Sequence, residues 1–415
     1  MNIHIHTFGC RLNQYESEKI AYELKNMGAN ITTLKEADAI AINTCTVTND
    51  SDKKLVSYLE KLEDIEQKKI FLIGCYVSKK GFTTENKNII TINNDHKEEA
   101  AQIIFNTIQK DTNKEIKSPI FFPQEQSRAY LKIQDGCEVF CSYCIVSRVR
   151  GKHKSLEPNK IYEAIKIAND YNYKEIVLTG LNLGSYNFNN EIKFADILKN
   201  ILEHSSKYDI RIRLSSVEPI YFDDELINLF KNKDVLCPHA HIPLQSGSNK
   251  ILKLMNRRYT REEYLTSIEK LYKVNPNMAI STDVMVGFPE EENDDFNDTY
   301  NLCEKSKFIK MHVFRYSDRE NTPSSKMQNK IGYRRKLKRA KLLNELNNKM
   351  KDNYYNNALG RKLDVIVEEV LENNYYIGTS GEYLKVKFKS DKTLNKKELI
   401  TVKSLKYEDD IIIAE

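Results

Sequence analysis

To about residue 118, short apolar runs alternate with stretches whose apolar residues recur at helical spacing. Asn2–Thr7, Ala39–Asn43 and Lys69–Ile73 predict strands; Glu16–Asn26, Lys53–Asp64 and Lys97–Gln109 predict helices. Such alternation predicts a parallel sheet. The polar stretch Asp111–Ser118, followed by Pro119 and Pro123, predicts a linker. A second series of strands follows: Tyr130–Gln134, Glu175–Thr179, Ile210–Ser215, His239–Leu244, Ala279–Val286 and Lys310–Arg315. Helical patterns such as Asn159–Tyr171, Ala195–Ser205, Arg261–Val274 and Asp294–Ser306 separate them. Six repeats of this kind predict an open, partial version of the parallel βα barrel. Tyr333–Tyr355 then predicts one amphipathic helix with Leu337, Ala340, Leu343, Leu346 and Met350 on its apolar face. The short runs Leu363–Val370, Tyr375–Thr379, Leu384–Phe388, Leu399–Leu405 and Ile411–Ile413 predict a small β-barrel. The fold class is therefore α/β, with domains expected at 1–118, 119–356 and 357–415.

Composition changes this picture little. The 415 residues suit two or three cores, and a net charge of +5 selects no partner. Locally, Arg334–Arg339 is strongly basic, fit either for a nucleic-acid backbone or for a solvated helix face. No apolar run approaches the roughly 20 residues that span a bilayer. The start, MNIHIHTFGC, lacks a basic segment followed by an apolar one, so a cytoplasmic protein without membrane contact is expected. There the eight cysteines stay reduced, and their spacing carries the information.

Cys137, Cys141 and Cys144 stand at i, i+4 and i+7, directly after the first barrel strand. Protein 4Fe-4S clusters usually take four cysteines, so three leave one iron open to an outside ligand. A structural zinc loop is the alternative, with His153 as the nearest fourth ligand. The spacing, with Tyr143 before the last cysteine, favours the cluster. Active sites of such barrels lie at the carboxyl ends of strands. Those ends carry Gly180, then Ser215, Ser216 and Glu218, then Gln245 within HIPLQSGS, then Asp283 and Gly287-Phe288-Pro289, then Phe314-Arg315-Tyr316-Ser317. Taken singly, each is as easily a turn or a packed residue. Cys10, Cys45 and Cys75 each follow one of the first three strands, so a parallel sheet would gather them along one edge. Three buried, inert thiols are the plain alternative. A second cluster, again with an open iron, is the preferred expectation. Cys237 and Cys303 show no such pattern and are expected to be structural.

The stretch GCEVFCSYC closely resembles the cluster loop of the radical S-adenosylmethionine (SAM) superfamily. TFGCRLNQYES, NTCTVT, LTGLNLGSY, RLSSVEP, HIPLQSGS and DVMVGFP are similar to motifs of its methylthiotransferase family. The resemblance implies that Cys137, Cys141 and Cys144 hold a 4Fe-4S cluster that binds SAM and yields a 5′-deoxyadenosyl radical. It implies a second 4Fe-4S cluster on Cys10, Cys45 and Cys75 that carries sulfur. Tyr143, Gly180, Ser216, Glu218 and Gln245 become candidate SAM contacts, with Ser216 and Glu218 suited to ribose hydroxyls. A flavodoxin or ferredoxin would donate electrons. The last barrel would be TRAM-like and bind tRNA, where Tyr375, Tyr376 and Tyr383 would either stack on bases or pack the barrel.

GCRLNQYES and NTCTVTNDSDKK are similar to the branch that acts on N6-threonylcarbamoyladenosine in tRNA. They differ from the runs of the branches acting on isopentenyladenosine or a ribosomal protein, which stand as the alternative substrates, the ribosomal protein first. The product would be 2-methylthio-N6-threonylcarbamoyladenosine beside the anticodon. Its carboxylate calls for a cationic pocket, with Arg11, Arg148, Arg150 and Arg315 as candidates. Cys144-Ile145-Val146-Ser147-Arg148 and Glu320-Asn321-Thr322-Pro323 depart from the family's usual runs, but no predicted cluster ligand is lost. A non-enzymatic RNA-binding protein stabilised by zinc is the rival from another class.

Overall fold

A computed structural model of the chain describes residues 1–62, 68–79, 82–109, 122 and 126–415, with the Arg11 side chain outside that description. Its first element group is a five-stranded parallel sheet, ordered Asn30–Ile31, Asn2–Thr7, Ala39–Thr44, Lys69–Gly74, Ile89–Ile92. Ala39–Thr44 is buried throughout and Lys69–Gly74 almost so, which is why both read as unbroken apolar runs. Helices Arg11–Asn26 and Ala100–Gln109 cover one face through Ile20, Leu24, Ile104 and Phe105. Helix Asn49–Glu60 covers the other through Leu55.

Three helix starts differ from expectation. The first begins at Arg11, with Cys10 as its N-cap residue. The second begins at Asn49, where the Thr48 hydroxyl accepts from the Ser51 amide at 3.2 Å. The third begins at Ala100, after a 3-10 turn over Asn94–Glu99. In the first two, polar first-turn residues hide the apolar period; the third starts later than expected because Lys97–Glu99 belong to the 3-10 turn. The two edge strands, Asn30–Ile31 and Ile89–Ile92, were too short to read. The end of the expected helix at Asp64 and the linker Asp111–Ser118, with Pro119 and Pro123, fall outside the described residues.

The second group has parallel strands Ala129–Lys132, Glu175–Thr179 and Arg211–Leu214 in one sheet. His239–His241, Ala279–Val286 and Lys310–Arg315 form another, and bridges Ile212↔Leu236 and Ser216↔His241 link the two. This is the expected six-stranded partial barrel, with strands in sequence order. The fourth strand stops at His241 rather than Leu244, because Pro243 lacks an amide donor and Gln245 turns the chain at φ +62°. Short helices Asp224–Leu229 and Asn249–Leu254 were missed.

Helix Tyr333–Asn357 leads to a closed five-stranded barrel in the order Lys362–Val370, Tyr375–Ser380, Lys385–Lys389, Ile411–Ala414, Leu399–Glu408. Leu343, Leu346 and Met350 are buried as expected, but Leu337 is 43% exposed. Arg339 is buried in that first part, its guanidinium 2.6 Å from Glu291. The basic run thus corrects to one structural arginine beside the exposed Arg334, Arg335 and Lys338. Tyr376 is buried against Phe388, and Tyr383 stacks on His239, so neither is an open platform for bases; Tyr375 is exposed.

Beneath the partial barrel, fully buried Glu175 pairs with Arg211 and Arg213, each at 2.6 Å. Arg211 donates to the Asp364 and Thr379 carbonyls, and Arg213 to those of Ser380 and Gly381. One carboxylate therefore fastens the small barrel to the strands of the larger one.

Contacts divide the chain into two units. One comprises the described residues up to 122, Asp135–His153 and Ser317–Ser325; the other comprises residues 126–134, Lys154–Tyr316 and Lys326–Glu415. No helix among the described residues is long and apolar enough to cross a membrane.

Candidate functional site

In the first unit, strand register aligns Thr7 with Asn43 and Thr44 with Gly74. Cys10, Cys45 and Cys75 therefore follow the ends of three adjacent strands, as expected of one sheet edge. Gly9, at φ +105°, is required there: a Cβ would lie 2.5 Å from that of Cys45. Burial pushes the Cys45 thiol up, and the neighbouring Cys10 and Cys75 push it further. A bound cation would relieve that repulsion.

The polar residues around these cysteines form a scaffold. Asn13 donates to the carbonyls of Phe8 at 2.8 Å and Thr44 at 2.9 Å; Asn43 donates to Asn13 O and Ser17 Oγ. Buried Glu16 pairs with Arg150 at 2.6 Å and Lys97 at 2.5 Å. Arg150 Nε and Asn94 Nδ2 point at Cys75 Sγ, at 3.3 Å and 3.6 Å. Burial alone disfavours both cations, and Glu16 opposes that effect. This corrects the expectation for Arg150: it is committed to Glu16, Asn13 and Cys75, not open to a substrate carboxylate. Replacing it with leucine should cost about 2 kcal/mol, less than breaking an isolated buried pair because Lys97 stays on Glu16. The midpoint of urea unfolding would show the loss.

The cysteine loop lies in the same unit. Gly136, at φ +72°, sits where a Cβ would lie 2.0 Å from the Lys152 carbonyl, and Cys137 N donates to Gly151 O at 3.3 Å. Phe140, with an exposed ring, takes a left-handed backbone just before Cys141. Val146 N donates to Cys144 Sγ at 3.4 Å, and Ser324 N holds Ser142 O at 2.9 Å. Tyr143 is half-buried within the loop. Ile145 and Val149, just past it, pack on Cys75. N–H donors aimed at Cys75 and Cys144 fix the orientation of two sulfurs of the kind that ligate iron. A mononuclear zinc, with Zn–S of about 2.3 Å, draws its ligands closely together. Among the described residues, only His241, Asp283 and His312 are gathered as a trio within 4.8 Å.

In the second unit, Thr179 Oγ1, Asn182 Oδ1, Ser215 Oγ and Gln245 Oε1 are buried without a hydrogen-bond partner among the described residues. All four lie just past or at the carboxyl ends of the second, third and fourth barrel strands. Each orphan costs about 1–3 kcal/mol unless a ligand satisfies it, so this rim fits a polar molecule such as SAM. Asn182 was missed as a site residue; its only signal was a polar side chain two residues after LTG. Gly180 leaves room for Gln134, whose Oε1 accepts from the Asn182 amide at 2.8 Å. Ser216 is half-buried and bridges to His241. Glu218 pairs with Arg257; burial pushes its carboxyl up while the guanidinium opposes.

Residues 131–303 match the family model described as Radical SAM superfamily, and residues 2–93 match Uncharacterized protein family UPF0004. Threonylcarbamoyladenosine tRNA methylthiotransferase MtaB of Bacillus subtilis is 33% identical, over 97% of this chain and 93% of its own. The tRNA-2-methylthio-N(6)-dimethylallyladenosine synthase of Clostridium novyi is 35% identical, over 89% and 86%. Among solved structures, the radical SAM methyltransferase TsrM from Kitasatospora setae superposes with a TM-score of 0.55 at 10% identity, covering 78% of this chain and 76% of its own. That likeness shows the fold alone. The strand-end cysteines, the orphaned rim and relatives that span nearly the whole chain agree: this protein belongs to the radical SAM methylthiotransferase family and is an enzyme of that kind.

Proposed function

We propose that this enzyme methylthiolates carbon 2 of N6-threonylcarbamoyladenosine in tRNA. The observation that carries this reading is the set of three MtaB relatives, at 32–33% identity, spanning between 90% and 98% of the chain. The NTCTVT run points the same way.

Cys137, Cys141 and Cys144 would hold the SAM-binding 4Fe-4S cluster, and Cys10, Cys45 and Cys75 a second one. When bound, these groups supply the radical, the sulfur and the methyl group. The chain's own part is positional. Asn13, Asn43 and Thr44 fix the strand ends that carry the second triad. Arg150 and Asn94 hold Cys75. Thr179, Ser215 and Gln245 would bind and orient SAM, with Gly180, Ser216 and Glu218 around it, and Tyr143 stays a candidate by the resemblance alone. Arg148 and Arg315 are exposed and stay candidates for the threonyl carboxylate, Arg315 lying over the Tyr333 ring. Exposed Arg334, Arg335 and Lys338, with the TRAM-like barrel, would hold the tRNA backbone, and binding would weaken as salt rises. Flavodoxin or ferredoxin would supply electrons.

The Clostridium novyi relative supports a second reading, a dimethylallyladenosine substrate. Mass spectrometry of tRNA nucleosides from a deletion strain and its complemented partner separates the two. Loss of 2-methylthio-N6-threonylcarbamoyladenosine, restored by the gene, is expected. Loss of the dimethylallyl product alone would install the second reading, and a change confined to a ribosomal protein would overturn both.

A further inference from the structure

We propose that His241, Asp283 and His312 form a binding site for a divalent first-row transition-metal ion, built from none of the cysteines. The three come from successive parallel strands of the partial barrel. Asp283 and His312 are register partners, and His241 pairs with Ser281, two residues before Asp283. Period-two alternation therefore turns all three side chains to one face.

Their ligand atoms lie within 4.8 Å of one another, and His241 Nε2 is 3.2 Å from Asp283 Oδ2. Two ligands of a tetrahedral ion with bonds of about 2.1 Å stand about 3.4 Å apart, so this spacing needs little adjustment. Two imidazoles and one carboxylate, with coordination positions left over, suit Mn²⁺, Fe²⁺ or Zn²⁺. The remaining positions would accept an oxygen donor such as a carboxylate.

A second observation concerns the ring's other nitrogen. His241 Nδ1 lies 2.9 Å from Ser281 Oγ, which lies 3.1 Å from His239 Nε2. If Nδ1–H donates to Ser281, the serine proton turns to His239. The lone pair of His241 Nε2 then faces the Asp283 carboxylate, an arrangement that either a metal ion or a shared proton between them satisfies. This is the outer-shell bond that sets the tautomer of metal-binding histidines. The His241 and Asp283 side chains keep 17% and 29% of their surface exposed, and His312 is exposed, so an ion can enter.

The test titrates Mn²⁺ into the enzyme with its iron–sulfur clusters in place, following the room-temperature EPR signal of the free ion. One Mn²⁺ per chain should bind, and neither His312→Ala nor Asp283→Asn should retain it. His312 is exposed, so its removal should leave the circular dichroism spectrum unchanged. Ser281→Ala should weaken binding about tenfold. Absence of a one-per-chain site, or binding that survives His312→Ala, would overturn the proposal and leave His241 and Asp283 as a proton-bridged pair.

Discussion

Replacing Cys137 with alanine should abolish reductive cleavage of SAM, whereas replacing Cys10 should leave cleavage running and stop sulfur insertion. The reason is the division of ligands proposed above. Cys137, Cys141 and Cys144 sit in one short loop whose bend is set by Gly136 and Phe140. Cys10, Cys45 and Cys75 arrive from three strand ends fixed by a separate hydrogen-bonded scaffold. Loss of one ligand should therefore empty one site and spare the other. Each variant should keep about half of the wild-type iron if each triad carries one 4Fe-4S cluster. Losing only an outer-shell partner of a metal ligand costs 10–100-fold, so losing a ligand itself should cost more than about 100-fold. Chromatography of 5′-deoxyadenosine reads the first activity, and mass spectrometry of the methylthio nucleoside reads the second. A Cys10 variant that no longer forms 5′-deoxyadenosine would sink the division of labour.

The cysteines were legible because their signal is local. A strand ends, the chain turns, and a cysteine stands at the turn. Their supports were not, because the partners are remote. Glu16 and Arg150 are 134 positions apart, and nothing near either announces the other. Arg150 was therefore read as a spare cation when it is a buried brace. The same limit applies to Arg319, which holds Thr46, Asn49 and Asp52 from about 270 positions away. Arg339 shows the converse error. Six consecutive residues of mostly basic character read as one surface, yet helical geometry turned the last toward Glu291. The orphaned rim atoms could not be foreseen either, since a missing partner is visible only when every neighbour is known.

Glu175→Gln should destabilise the fold by about 3–5 kcal/mol, the usual cost of stripping one partner from a buried charge pair. Glutamine keeps the shape but leaves Arg211 and Arg213 buried without their carboxylate, with Arg128 also deprived of a partner 3.8 Å away. Burial alone would raise the Glu175 carboxyl; the three arginines, Arg213 foremost, overcome it and hold the group well below the ordinary carboxylate range. Because the folded-state value is depressed, this contribution is complete above the unfolded value near 4.3 and disappears as pH falls through the folded one. The wild type should therefore lose stability between about pH 5 and 3 more steeply than Glu175→Gln does. Denaturant midpoints across that range measure the difference. The damage should also appear at a specific place. Arg211 and Arg213 bond the carbonyls of Thr379, Ser380 and Gly381, so hydrogen exchange in Tyr375–Ser380 and the turn after it should quicken before the parallel strands open. A midpoint shift worth less than about 1 kcal/mol, the range of exposed ion pairs, would show that the carboxylate is not what fastens the small barrel.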